Sequence, residues 1–256
     1  LEKILGNPFE NCRKLQTVYL RSLIPPLYLD QNMDGISENL QMLVPSQSLA
    51  AYQHVGRTLL LDTPWGDAWN PYGGWNLYRE YLVGYNYTDH PTPDRYISSD
   101  YTDDGKVTTL QTATKGSGID IVLMGDAYSD RQIADGTYKT DMENLYNNLF
   151  TEEPYKSFKD HFNVYYVNVV SIAEGYGLKG ANSAALNGYF GDGTLVGGND
   201  NAVFNYALNA ISEEEMDEAL LIVAMNSDNY AGTCYMYYPD NSAGYGNGVS
   251  VSYFPK

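Results

Sequence analysis

The residues of this chain that invite a chemical reading are spaced carboxylates, three histidines and two glycine-rich stretches. Asp30-x-Asn32-x-Asp34-Gly35 spaces oxygen ligands as the opening of a calcium loop does. Its twelfth position is Gln41, where such a loop needs a bidentate Glu, and no helical pattern precedes it, so an ordinary turn is expected. Asp100-x-Thr102-x-Asp104-Gly105 fails at the same place, at Gln111, and its Asp-Gly reads as a hairpin turn between Tyr101 and Val107. Lys115-Gly116-Ser117-Gly118 precedes a strand pattern and lies between no strand and helix, so it is no phosphate loop. Gly244-x-Gly246-x-Gly248 opens no helix either. His54, His90 and His161 have no His, Cys or carboxylate partner at metal-ligand spacing, and His161 reads as a packed or capping residue. No G-x-S-x-G elbow occurs. Trp65, Trp69 and Trp75, with Tyr72 and Tyr78, would suit sugar stacking, but aromatic packing between two parts of the chain is the expectation. Cys12 and Cys234 stand too far apart to suggest a disulfide framework and are expected as buried free thiols.

The elements that must position such groups lie mostly in the second half. Ile119–Met124 is a β-branched apolar run closed by Gly125-Asp126, and 162–171 and 219–226 repeat that texture. Between them, 140–150 carries Met142, Leu145, Tyr146, Leu149 and Phe150 at helical spacing. A second helix is expected over 202–210, with Asp200 or Asn201 as its cap, and a short one in the acidic run 213–218, a solvated face. The tail 248–254 alternates like one more strand. A β-α-β-α-β order predicts an α/β fold, a mainly parallel or mixed sheet with helices on its faces. Right-handed crossovers then gather Asp126, Ser171 and Asn226 along one edge, where α/β sheets bind ligands. Asp126 itself is expected as a structural cap and not as a ligand.

Composition narrows the function classes. The chain has 256 residues, 32 acidic and 15 basic, for a net charge of −17. That balance excludes nucleic acid and anionic membrane surfaces as partners, since both demand clustered Lys and Arg. No apolar run is long enough to span a bilayer. Hydrophobic residues at 43 % and 25 tyrosines build a sizeable core. The opening Leu1-Glu2-Lys3-Ile4 is neither an initiator Met nor a signal segment, so the chain reads as an excerpt of something longer.

In residues 1 to about 60, Leu1-x-x-Ile4…Phe9-x-x-Cys12-x-x-Leu15-x-x-Val18-x-Leu20, Pro25-Pro26 and Leu43-Val44-Pro45-Ser46-x-Ser48-Leu49-x-Ala51-Tyr52 resemble the end and cap of BspA-like leucine-rich repeats of bacterial surface proteins. A host protein or glycan would be the partner of such an array. Residues 61–105 read as a Trp/Tyr-rich connecting segment, partly β, ahead of the α/β unit at 106–256.

From about 98 onward the chain resembles the IgA-peptidase-type zinc metallopeptidases. The matching blocks include Ser99-Asp100-Tyr101, Leu110-Gln111-x-Ala113-Thr114-x-Gly116-x-Gly118-Ile119-Asp120-Ile121-Val122 and Gly125-Asp126-Ala127-Tyr128-Ser129-Asp130. Glu153-Pro154-Tyr155, Tyr189-Phe190-Gly191-Asp192-Gly193-Thr194, Tyr230-Ala231-Gly232-Thr233-Cys234-Tyr235 and Tyr253-Phe254-Pro255 follow in order. The resemblance implies an exported, extracellular or surface endopeptidase with a zincin-like fold, acting on protein or peptide. It implies zinc for the complete family domain, held by an H-E-x-x-H helix that follows the Tyr-Phe-Pro block. These residues contain no H-E-x-x-H, so no catalytic residue and no metal ligand carries over, and the chain is expected to bind no zinc and cleave nothing by itself. What the resemblance leaves is substrate contact: zincins align substrate antiparallel to an exposed strand, and Tyr230, Ala231, Gly232 and Thr233 are the residues expected to receive it. The competing reading of those four is a glycine turn that merely shapes a loop. The competing reading of the whole is a surface adhesin with a degenerate peptidase-like domain.

Overall fold

The computed structural model describes residues 3–28, 34–55, 74–87, 95–176, 183–237 and 249–256. Trp65, Trp69, Tyr72, His90, the first two ligand positions of the Asp30 turn and the glycine run ending at Gly248 lie outside the described residues.

The front unit is made of short parallel strands: β1 (Lys3–Ile4), β2 (Thr17–Tyr19), β3 (Leu27–Tyr28), β4 (Gln41–Pro45) and β5 (Leu82–Tyr85). β1 pairs with β3, and β2, β4 and β5 lie side by side in that order, every pairing parallel. Two short helices, α1 (Leu49–Val55) and α2 (Gly74–Tyr78), carry aromatics into their core. Strands this short bury little by themselves, and large rings supply the area instead. Trp75, Tyr28, Tyr52 and Tyr78 are fully buried, and Trp75 Nε1 donates to the Pro26 carbonyl at 2.8 Å. Trp75 and Tyr78 are therefore interior packing.

The larger unit holds β6 (Val107–Gln111), β7 (Ile119–Asp126), α3 (Asp130–Ala134), α4 (Thr137–Leu149), β8 (Phe162–Val167), β9 (Tyr189–Phe190), β10 (Val196–Gly197), α5 (Asp200–Ala207), α6 (Glu213–Met216), β11 (Leu220–Met225), β12 (Thr233–Met236) and β13 (Ser250–Pro255). Six strands form one sheet in the order β12-β13-β11-β7-β8-β6. The four inner strands are mutually parallel, and the edges β12 and β6 run antiparallel to their neighbours. The fold is thus α/β with a mixed sheet between helices. β7 is apolar on both faces because both are covered. Val122 and Met124 enter the core under α5 and α6, whereas Ile121 and Leu123 enter the core under α4.

Several boundaries differ from expectation, each for a local reason. α4 starts at Thr137, because Gly136 in the left-handed region (φ 85°) separates it from α3. α3 is capped by Ser129 with Gln132 in a reciprocal box, a helix too short for its periodicity to register. α5 starts at Asp200, and its cap is Asn199, whose side chain accepts the Ala202 amide at 3.4 Å, so neither Asp200 nor Asn201 caps it. β8 ends at Val167, and 168–171 continue without strand structure. The Asp104-Gly105 turn joins no hairpin: β6 pairs with β8, and Gly105 N donates to the Asn168 carbonyl. The cysteines are free but not buried. Cys12 is half-buried, and Cys234 is exposed because alternation on edge strand β12 turns it outward.

The two units touch. His54 of α1 stacks on Tyr101 with ring centroids 3.8 Å apart, and its Nε2 lies 3.4 Å from Asp104 Oδ2.

Candidate functional site

At the C-terminal ends of β7, β8 and β11 the structure brings together Asp126, Ser171 and Asn226. Asp126 is fully buried and accepts the Leu186 and Gly188 amides, each at 2.9 Å. A Cβ at Gly188 would stand 2.4 Å from Asp126 Oδ2, so only glycine lets that loop close on the carboxylate. Ser171 Oγ accepts from Ala127 N at 3.1 Å and Ala185 N at 3.0 Å. Asn226 Nδ2 donates to the Ala127 carbonyl at 3.2 Å. These bonds hold Ala127 in the left-handed region (φ 65°), an uncommon place for a residue with a Cβ. Burial pushes Asp126 up to about 6 against the lowering effect of those amides. Asp126, Ser171 and the Asn226 amide nitrogen all bond to the protein itself, so this edge is a bracket for loops and Asp126 acts as a cap.

The predicted receiving residues lie at the same C-terminal end of the parallel strands, displaced sideways to the edge strand β12. Tyr230 is 92 % exposed, Ala231 is half-buried against the core under α5, Gly232 is exposed, and Thr233 opens β12. A Cβ at Gly232 would meet nothing closer than the Tyr253 carbonyl at 4.0 Å, so internal packing does not demand glycine there. Tyr237 N donates to the Val249 carbonyl at 2.9 Å, which sets the ladder between β12 and β13. By antiparallel alternation Tyr235 and Thr233 also bond to β13, while Gly232, Cys234 and Met236 turn their amides and carbonyls away from it. Gly232 N already donates to the Thr194 carbonyl at 3.0 Å, and Thr233 Oγ1 accepts from Val196 N at 3.1 Å. Among the described residues, no strand pairs with the outward groups of Cys234 and Met236.

Beneath this edge Asp200 is the anchor. It accepts from Tyr253 at 2.6 Å and from Tyr237, so one carboxylate ties β12, β13 and the first turn of α5 together. Burial raises its pKa, opposed by the two tyrosine hydroxyls. The sequence reading missed this anchor, the outward groups at 234 and 236, and the β9–β10 hairpin. Its signals were the Asp192-Gly193 turn and the alternation over 233–237, both too short to stand alone.

Metal fit can be tested directly. Among the described residues no group of three or more His, Cys, Asp or Glu side chains is arranged to hold a metal ion. His54 is engaged with Tyr101 and Asp104, and His161 lies near Phe158 at 6.0 Å between rings. The described residues do not fit a zinc site. No helix among them is long and apolar enough to cross a membrane.

A mixed sheet between helices, with an antiparallel, outward-facing edge strand beside parallel ones, defines an α/β domain. Residues 107–244, more than half of the chain, match the IgA Peptidase M64 family, and the chain belongs to that family. It is a family of zinc metallopeptidases, and its substrates are proteins. No curated protein matches the chain.

Proposed function

We propose that this chain is the substrate-receiving part of a secreted or surface-held zinc metallo-endopeptidase of the IgA-peptidase type. An extended segment of a protein joins β12 antiparallel along Met236 and Cys234, with its C-terminal end beside Tyr230, Ala231, Gly232 and Thr233. The observation that carries the reading is the pair of outward-facing backbone positions at Cys234 and Met236, two donors and two acceptors at the spacing of a strand. A protein substrate always offers the complementary groups, so the edge binds without reading sequence. The chain's own contribution is binding, since the zinc of the family finds no ligand set among the described residues.

The front unit is read as the end and cap of a BspA-like leucine-rich repeat array, partnered by a host protein or glycan. Support comes from short in-register parallel strands, with Thr17 of β2 beside Gln41 of β4, 41 − 17 = 24 residues on.

Amide hydrogen exchange with a blocked, unstructured ten-residue peptide tests the main reading. Added peptide is expected to slow exchange at Cys234 and Met236 and to leave the inner strands unchanged. No protection at either amide at millimolar peptide sinks it and leaves the adhesin reading standing.

A further inference from the structure

We propose that the β9–β10 hairpin is a register stop for the polypeptide that adds to β12, and that it selects an apolar residue at the point where the added strand ends. The inference rests on the strand-addition reading above and deepens it by naming what limits and selects the substrate.

The outward positions of β12 recur every second residue, at Gly232, Cys234 and Met236. The first is taken. Thr194, in the turn of the hairpin, supplies its carbonyl to Gly232 N at 3.0 Å, which is the bond an added strand would otherwise make. The neighbouring bond, from Val196 N to Thr233 Oγ1 at 3.1 Å, ties the hairpin to the edge at two adjacent residues. A chain laid along β12 from Met236 therefore pairs at 236 and 234 and then meets protein.

The hairpin is fixed at its root and open at its tip. A Cβ at Gly197 would stand 2.9 Å from Tyr189 Oη and 3.2 Å from Tyr235 Oη, and one at Gly198 would stand 2.7 Å from the Tyr253 ring. With glycine at both positions the root seats flush on the tyrosines above Asp200 and has no room to slide. Residues 191–195, by contrast, are all exposed. A turn tied to β12 through Thr194, a strand tied to it through Val196 and a root clamped by rings make a fixed obstacle.

The same place is apolar. Leu195 is 59 % exposed one residue from the Thr194 carbonyl, and Tyr230 is 92 % exposed two residues from Gly232. Exposed large apolar side chains are ordinary singly, but these two flank the point at which pairing must stop. For a segment antiparallel to β12 that point meets the C-terminal end of the paired stretch. The ligand class is thus an extended polypeptide with a hydrophobic side chain just beyond two strand-paired residues.

The test uses the whole chain and blocked ten-residue peptides of Ser and Thr with a single Leu moved through every position. Affinity is read by fluorescence anisotropy and amide protection by hydrogen exchange. The wild type is expected to prefer one Leu position at least fivefold, with Gly232 protected whether or not peptide is present. Replacing 191–195 by a two-residue Asn-Gly turn is expected to flatten that preference and to make Gly232 protection depend on peptide. Thr233→Val, which removes only one tie, is expected to weaken the preference partially and covers the case in which the shortened hairpin fails to fold. An unchanged Leu preference in the variants, with Cys234 and Met236 still protected by peptide, overturns the register stop alone. Absence of protection at 234 and 236 in the wild type overturns strand addition and the stop together.

Discussion

The two edges of the central sheet solve the same problem in opposite ways. A strand at an edge presents unpaired amides and carbonyls, and proteins normally blunt it with bulges, charge or cover. β6 is blunted. Its register with β8 breaks between Thr109 and Gln111, which adds a bulge, and Lys106 stands at its head in an ion pair with Asp103. Gln111 then bolts its far end, with Nε2 donating to the Lys159 and Phe162 carbonyls at 2.8 Å each and Oε1 accepting from Tyr146 at 2.9 Å. β12 keeps an unbroken register with β13 and no charged residue among its four. Its only cover among the described residues is the hairpin at Gly232 and Thr233. One edge carries a bulge and a charged residue, and the other keeps an even register with two outward positions and the hairpin beside the next; that difference is what a binding role for β12 requires.

The largest expected effect on binding comes from removing one outward donor on each edge. Proline at an outward position costs an edge strand no ladder bond. Met236→Pro deletes a donor from the open edge. Val107→Pro deletes one from the closed edge, since Asn168 N bonds to the Lys106 carbonyl and Val107 faces away from β8. Loss of one hydrogen bond to peptide, about 1–1.5 kcal/mol, corresponds to about tenfold in affinity. Met236→Pro is expected to weaken binding of an unstructured peptide by at least that, with the thermal midpoint held, and Val107→Pro to leave it unchanged. Equal affinities for the two variants would erase the distinction between the edges.

How much of this was legible beforehand follows element length. β7, β11 and β13 were readable because long β-branched or alternating runs have few other solutions, and the mixed sheet followed from their order. Asp126, Ser171 and Asn226 were readable as neighbours because strand ends in such a sheet share one side. β9 and β10, two residues each, carry no periodicity. Asp200 looked like a helix cap because an acid ahead of an apolar helix usually is one; its partners Tyr237 and Tyr253 lie 37 and 53 residues away, and only the tertiary fold brings them to it. Which amides of β12 face outward depends on the register of Thr233 against Tyr253, a fact of pairing that no local pattern encodes.

The anchors of the two edges differ as well. Asp200→Ala strands two tyrosine hydroxyls under β12, a cost of about 2–4 kcal/mol, and is expected to loosen β12 and β13 together. Gln111→Ala removes three bonds at the end of β6, but in a half-exposed place that water can refill, so about 1–2 kcal/mol is expected. Chemical denaturation of the two variants gives the ranking. A Gln111→Ala penalty exceeding that of Asp200→Ala would make β6 the more finely held edge.

The smallest effect is one of pH, and it separates the anchors by charge. Burial raises the Asp200 carboxyl above its ordinary value, so the folded state holds that proton more tightly than the unfolded chain does. Its contribution to stability is full below the unfolded value of about 4 and is lost as pH rises through the folded one. Asp200→Asn keeps the neutral form's shape and has no proton to lose. The wild type is therefore expected to lose stability relative to the variant as the pH rises from 4 to 7. Gln111 is neutral throughout, so the penalty of Gln111→Ala is expected to stay level over the same range. Denaturation midpoints of both variants and the wild type at four pH values decide it. A wild type that gains stability on Asp200→Asn with rising pH would mean that the two tyrosine hydroxyls outweigh burial, and that β12 rests on a charged clasp and not on a neutral one.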